Sequence, residues 1–163
     1  MDVIFCHGLE TGPHGRKYHA LRDAGLDIIA PDYLGLNLAA RVDALVPVLE
    51  AADHPVVVGS SYGGITALCA SIRVTEAGHP ITGLVLCAPA LGRTEPPADT
   101  MRLYPPVPTV IIHGTGDDVV PIDVSRAFAA THPDGVRLIE VDDEHRLAQS
   151  LDRIVAETRA FLD

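Results

Sequence analysis

The sequence predicts an α/β protein, a three-layer, doubly wound sandwich of about six parallel strands with helices on both faces. Three observations predict it. Short β-branched runs recur along all 163 residues. Most are continuously apolar rather than alternating, as strands covered on both faces must be. Segments with helical spacing separate them, which gives βαβ units joined by right-handed crossovers.

The elements follow in order. Val3 to Cys6 is the first strand, and the amino terminus lacks a basic region and a cleavage site, so it reads directly as strand. Gly25 can close a helix before the second strand, Ile28-Ile29. Asn37 is placed to cap a helix over Leu38 to Ala52; within it Pro47 removes a backbone donor, which predicts a kink or break near Val46. Val56 to Val58 is the third strand, followed by a helix with Ile65, Leu68, Cys69 and Ile72 on one face. After the fourth strand, Leu84 to Cys87, residues 88–106 carry Pro89, Pro96, Pro97, Pro105 and Pro106 and no long amphipathic pattern. This segment reads as a loop or stub helix. It follows a strand's carboxyl end, where open α/β sheets bind ligands, so it is either a pocket wall or a rigid connector. Val110 to Ile112 is the fifth strand, Pro121 suits a first helical position, and Val136 to Val141 is the sixth. His145 then opens a final helix that buries Leu147, Leu151, Ile154, Val155, Thr158 and Leu162.

Composition narrows the function. Twelve Lys+Arg against 22 Asp+Glu give a net charge of −10, which argues against nucleic acid or another polyanion as partner. One domain over residues 1–163 is expected, large enough to build a core without disulfides or a structural metal. The longest apolar run, Leu84 to Leu91, is far short of a membrane span. Cys6, Cys69 and Cys87 are widely spaced without a CxxC pair, so they are expected to be reduced and buried in a cytoplasmic protein. No metal and no cofactor are expected, because neither H-E-x-x-H nor a His/Cys cluster occurs.

The sharpest chemical signal is Val56-Val57-Val58-Gly59-Ser60-Ser61-Tyr62-Gly63-Gly64, a strand running into G-x-S-x-G and then a helical pattern. A turn this tight holds the central serine strained and exposed, and Gly59 and Gly63 keep side chains out of its way. With 14 glycines and five serines in 163 residues, the pattern arises by chance about 0.04 times. A phosphate-binding glycine loop is the competing reading, but the GxGxxG spacing and P-loop lysine are missing. A serine nucleophile needs a base and an acid to orient that base. Asp117, just past the fifth strand, is the candidate acid, with Asp118 its competitor; His145 is the candidate base. The order Ser61, Asp117, His145 is that of the nucleophile-elbow hydrolases.

GSSYGG, HGTGDDVVP and DDEHR, together with the opening FCHGLETGP, resemble the α/β-hydrolase superfamily over nearly the whole chain, most closely its compact bacterial esterases without a large cap. The resemblance implies Ser61 as nucleophile, Asp117 as orienting acid and His145 as general base. It favours Asp117 over Asp118 through the D-x-x-V-P spacing, and implies an oxyanion hole from the backbone N–H groups of Leu9 and Tyr62. Relative to the family, the leading antiparallel strands are absent, leaving a first sheet edge that permits dimerisation, and residues 88–106 stand in place of a cap, so an open or shallow pocket is expected.

The remaining candidates divide similarly. His7 is expected to shape the oxyanion loop and His113 to be structural. Asp142 and Asp143 read as solvated turn residues, and His19, His54, His79 and His132 as solvated. Cys6 and Cys87 end strands near the site but lack an elbow, so they read as small buried apolar groups. Arg16 either contacts a substrate anion or is a surface charge beside Lys17. The expected function is serine hydrolysis of an ester or thioester, with a small-molecule acyl substrate as partner. The alternatives are a non-catalytic binding or interaction module on a hydrolase-like fold, or lactone, amide or C–C hydrolysis on the same scaffold. Monomer and homodimer are equally compatible with the sequence.

Overall fold

The structure is a computed structural model that describes residues 2–163. Among the described residues six parallel strands form one sheet in the order β2-β1-β3-β4-β5-β6. They are β1 (Val3–Cys6), β2 (Ile28–Ile29), β3 (Val56–Ser60), β4 (Gly83–Cys87), β5 (Thr109–Gly114) and β6 (Val136–Val141). β1, β4 and β5 are buried throughout, and β3 up to Gly59, as continuously apolar strands require. The sheet edge beside β1 is β2, only two residues long, which leaves little backbone free to pair with a second chain.

Five helices complete the three layers: α1 (Arg16–Asp23), α2 (Leu38–Ala51), α3 (Tyr62–Glu76), α4 (Ile122–Thr131) and α5 (Leu151–Arg159) among the described residues. α2, α3 and α4 pack with Ile4, Val57, Leu84, Leu86 and Ile111 on one face. α1 and α5 cover the other, where Leu21 and Ile154 meet Val3, Phe5, Val58, Val85 and Val110. α3 lies deepest: every residue from Tyr62 to Ile72 is buried.

Local signals explain most boundaries. Asn37 accepts a 2.9 Å bond from the Ala40 N–H at the start of α2, and Gly25, at φ +84°, turns the chain after α1. Pro121 is the residue before α4 rather than its first. Two boundary expectations are overturned, a break near Val46 and a helix start at His145. α2 runs through Pro47 without a break, because the carbonyl Pro47 leaves unbonded belongs to exposed Asp43, which water can solvate, while Leu45 and Leu49 hold the helix against its neighbours. The final helix does not open at His145. Residues 145–150 form a turn in which buried Leu147 takes φ +52°, and α5 begins at Leu151. Residues 88–106 form no α-helix; Leu91, Ala98, Met101, Leu103 and Tyr104 pack against the core.

Leu68, on α3, is fully buried in the core that α2 and α3 form with the sheet. Leu68→Ala should cost about 2–5 kcal/mol, read as a lower urea midpoint at unchanged m.

Candidate active site

β3 pairs with β1 on one side, Cys6 opposite Gly59, and with β4 on the other, Ser60 opposite Cys87. The chain then reverses into α3 within one residue. Ser61 takes φ +55° and ψ −116°, a strained conformation for a side chain with a Cβ, worth on the order of 1–3 kcal/mol. Three bonds hold it there. Its N–H donates to Cys87 O at 2.9 Å, and its carbonyl accepts from Gly64 N–H at 2.9 Å and Ala90 N–H at 3.0 Å. The glycines are required by close approach. A Cβ on Gly59 would lie 2.6 Å from Gly63 O, and one on Gly63 would lie 2.1 Å from Cys6 O and 2.5 Å from His7 O.

Residues from three loops converge on Ser61. Its Oγ stands 3.0 Å from His145 Nε2, and His145 Nδ1 stands 2.7 Å from Asp117 Oδ2. With Nδ1–H donating to the carboxylate, Nε2 is left to accept the serine proton. The Asp117 side chain is wholly buried, whereas that of His145 is 19% exposed. Burial works against the charge of Asp117. Bonds from His145 and from the N–H groups of Val120 and Val119 outweigh it and hold the carboxyl below its ordinary range. Asp118 is exposed, and the carboxylate that meets His145 is that of Asp117, the first residue of the D-x-x-V-P frame.

Two polar groups near the site sit differently from expectation. His113 is fully buried and touches Asp117: its Nε2 lies 3.1 Å from Asp117 Oδ2 and 2.9 Å from Val120 O, and its Nδ1 lies 2.7 Å from Ser125 Oγ. Through these contacts it braces the loop that carries Asp117. Asp143 is not a solvated turn residue. It is 7% exposed, and its carboxylate accepts from Glu144 N–H, Gln149 N–H and Ser150 Oγ at 2.8–2.9 Å, so it organises the loop that carries His145. Burial opposes its charge, but these bonds and the nearby Lys17 ammonium leave its pKa below the usual carboxylate value. Lys17 Nζ itself donates to Arg146 O at 2.7 Å. Nothing in the local sequence distinguishes Asp143 from Asp142; only the fold of 144–150 does.

The loop after β1 lies over the elbow. A Cβ on Gly8 would be 3.7 Å from Ser61 Cβ. His7 Nε2 accepts from Tyr33 N–H at 2.8 Å, so its Nδ1–H donates to Gly8 O at 2.7 Å, and burial lowers its pKa and keeps it neutral. Among the described residues, neither Leu9 N–H nor Tyr62 N–H donates to another backbone carbonyl. Arg41, which the sequence reading passed over, is buried beneath this loop. Arg16 stands exposed at the first position of α1. Cys6 and Cys87 are buried, and burial pushes their thiols up to about 12 and about 11, far from a thiolate at neutral pH.

Two surface grooves of about 340 and 380 Å³ open around Pro133 to Gly135, at the amino-terminal ends of β5 and β6. They lie at the opposite edge of the sheet from Ser61. Among the described residues no cluster of three His, Cys, Asp or Glu could hold a metal, and no helix is long and apolar enough to cross a membrane.

No family model matches the chain, and no curated protein matches it. Solved structures do. A protein from Xanthomonas campestris pv. campestris assigned to the hydrolases of the α/β superfamily is 27% identical, with 99% of this chain and 96% of that one covered at a TM-score of 0.75. A protein from Agrobacterium vitis S4 assigned as a hydrolase is 21% identical, covering 99% and 88% at a TM-score of 0.83. BorB, the type II thioesterase of the borrelidin biosynthetic cluster, is 18% identical, covering 99% and 90% at a TM-score of 0.76. The last two establish likeness of fold; the first supports a hydrolase.

Two outcomes follow from the geometry. Gly63→Ala drives a methyl group into backbone carbonyls and should cost about 3 kcal/mol or more, a fall in Tm of roughly 6–12 °C. Because the folded-state pKa of Asp143 is depressed, its stabilisation is present above the ordinary carboxylate pKa and is lost as pH falls through the folded value. Asp143→Asn should therefore lower urea stability by about 1–3 kcal/mol at pH 7, with the deficit shrinking at more acidic pH.

Proposed function

We propose that this chain, an α/β hydrolase by fold, is a serine hydrolase that cleaves a carboxylic ester or thioester through an acyl-enzyme on Ser61. One observation carries the reading: the continuous chain Ser61 Oγ, His145, Asp117 at 3.0 and 2.7 Å, ending on a strained elbow. Binding alone has no need for an acid, a base and a strained serine in hydrogen-bonded sequence, which favours this reading over a binding module.

The chemistry follows from the positions. Ser61 Oγ attacks the substrate carbonyl while His145 Nε2 takes its proton; the C=O π bond opens to an oxyanion. Asp117 holds the Nδ1–H tautomer and stabilises the imidazolium that forms. Leu9 N–H and Tyr62 N–H face the developing oxyanion. Collapse of this intermediate expels the alkoxide or thiolate, which receives the proton from His145. Water, activated by the same histidine, then releases the acid. Residues 88–106, in place of a cap, border the site through Ala90, whose N–H bonds to Ser61 O. Arg16, exposed beyond the β1 loop, is the candidate contact for a substrate anion.

Intact-protein mass after treatment with a fluorophosphonate tests the reading without a guess at substrate. A single adduct is expected on the native protein and none on Ser61→Ala or heat-denatured controls. An unlabelled native protein would put the binding-module reading ahead. On any ester that is turned over, Ser61→Ala and His145→Ala should lower kcat by about 10³-fold or more, and Asp117→Asn by about 10³–10⁴, with Tm nearly unchanged for the serine variant.

A further inference from the structure

Arg41 is fully buried at the first turns of α2, and among the described residues it forms no ion pair with a carboxylate. An interior cation without a counter-ion is costly, so its remaining partners matter. They converge on the β1 loop and the elbow. Nη1 donates to His7 O at 2.9 Å, Nη2 to Gly8 O at 3.3 Å and Nε to Leu36 O at 3.2 Å. The guanidinium carbon also stands 4.9 Å from the centre of the Tyr62 ring and 6.0 Å from that of Tyr33.

These contacts reach the Gly8–Leu9 peptide of one donor named above through its carbonyl, and the ring of the other, Tyr62. A trans peptide directs its N–H opposite to its carbonyl. Gly8 O accepts from Arg41 Nη2 and His7 Nδ1, which fixes the plane of the Gly8–Leu9 peptide and turns Leu9 N–H away from the guanidinium; Gly8 itself lies against the elbow, where a Cβ would stand 3.7 Å from Ser61 Cβ. The second donor belongs to Tyr62, whose ring rests against the same cation. We propose that Arg41 is the positioning residue of the oxyanion hole, fixing the Gly8–Leu9 peptide with its N–H toward the reacting carbonyl and placing buried positive charge behind the oxyanion as it forms. This rests on the serine-hydrolase reading. His7 assists through the same carbonyl but is neutral; the charge comes from Arg41 alone.

A purely structural arginine would slow all substrates alike, whereas an oxyanion-hole arginine discriminates by acceptor. The test compares p-nitrophenyl acetate with its thionoester, O-(p-nitrophenyl) thioacetate, whose sulfur is a weak hydrogen-bond acceptor and gains little from the hole. Wild type and Ser61→Ala come first: no turnover, or turnover that survives Ser61→Ala, overturns the serine-hydrolase reading and this proposal with it. With Ser61-dependent turnover in hand, Arg41→Met should lower kcat on the oxoester by about 10²-fold at nearly constant KM, while the thionoester loses less than about tenfold. Arg41→Lys, which keeps the charge but not the planar fork that reaches two carbonyls at once, should fall in between, and it decides the matter if Arg41→Met does not fold. Millimolar guanidinium should restore part of the oxoester rate to Arg41→Ala. Equal losses on both esters, or an unchanged oxoester kcat in a folded variant, would sink the proposal.

Discussion

Everything at the carboxyl edge of the sheet depends on how closely α3 approaches β1. Gly63 lies so near the carbonyls of Cys6 and His7 that a methyl group there would overlap backbone. That approach lets α3 start one residue after β3, forces Ser61 into its positive-φ conformation, and brings the β1 loop over the serine. Close packing of this kind transmits position rather than flexibility, because interiors packed at crystal density have no slack to absorb a misplaced atom. The strain at Ser61 is offset by bonds to Cys87, Gly64 and Ala90, drawn from the neighbouring strand, the helix and the proline-rich segment. Three separate elements therefore hold one residue.

Around this point the polar groups are buried and satisfied in a graded way. The proposed acid, Asp117, receives N–H groups from Val119, Val120 and His145, with His113 packed against it, so it stays ionised although no water reaches its side chain. Asp143 plays the same part for the loop that carries His145. Arg41 does so for the loop carrying Leu9. Two buried anions and one buried cation thus each organise backbone by accepting or donating several bonds at once, which suits charged groups better than a single pairing would. Such loops are rigid without regular secondary structure.

The proline-rich segment 88–106 works differently. It packs apolar side chains onto the core and sends Ala90 N–H to Ser61, while Arg93 reaches the Tyr62 ring at 5.2 Å. A connector that buries its own side chains needs no helix to be fixed. It supplies a wall beside the serine without the bulk of a cap domain.

Residue spacing by itself determined the fold class, the elbow, and the chain order of Ser61, Asp117 and His145. Each of these is a local matter: continuous apolar runs, glycines two apart around a serine, a carboxylate after a strand. The sequence also placed Asn37 and Gly25 correctly, since caps act over three or four residues. It misjudged Pro47, the start of the last helix and Asp143, and it passed over Arg41. In each case the deciding partner is either solvent access or a backbone group contributed by packing. Arg41 binds carbonyls more than thirty positions away, and His113 becomes a brace for Asp117 only once the Asp117 loop folds back onto it. A charged side chain in a helix pattern reads as solvated. Only the tertiary structure decides whether water or protein carbonyls surround it, because burial belongs to the assembled core and not to the residue.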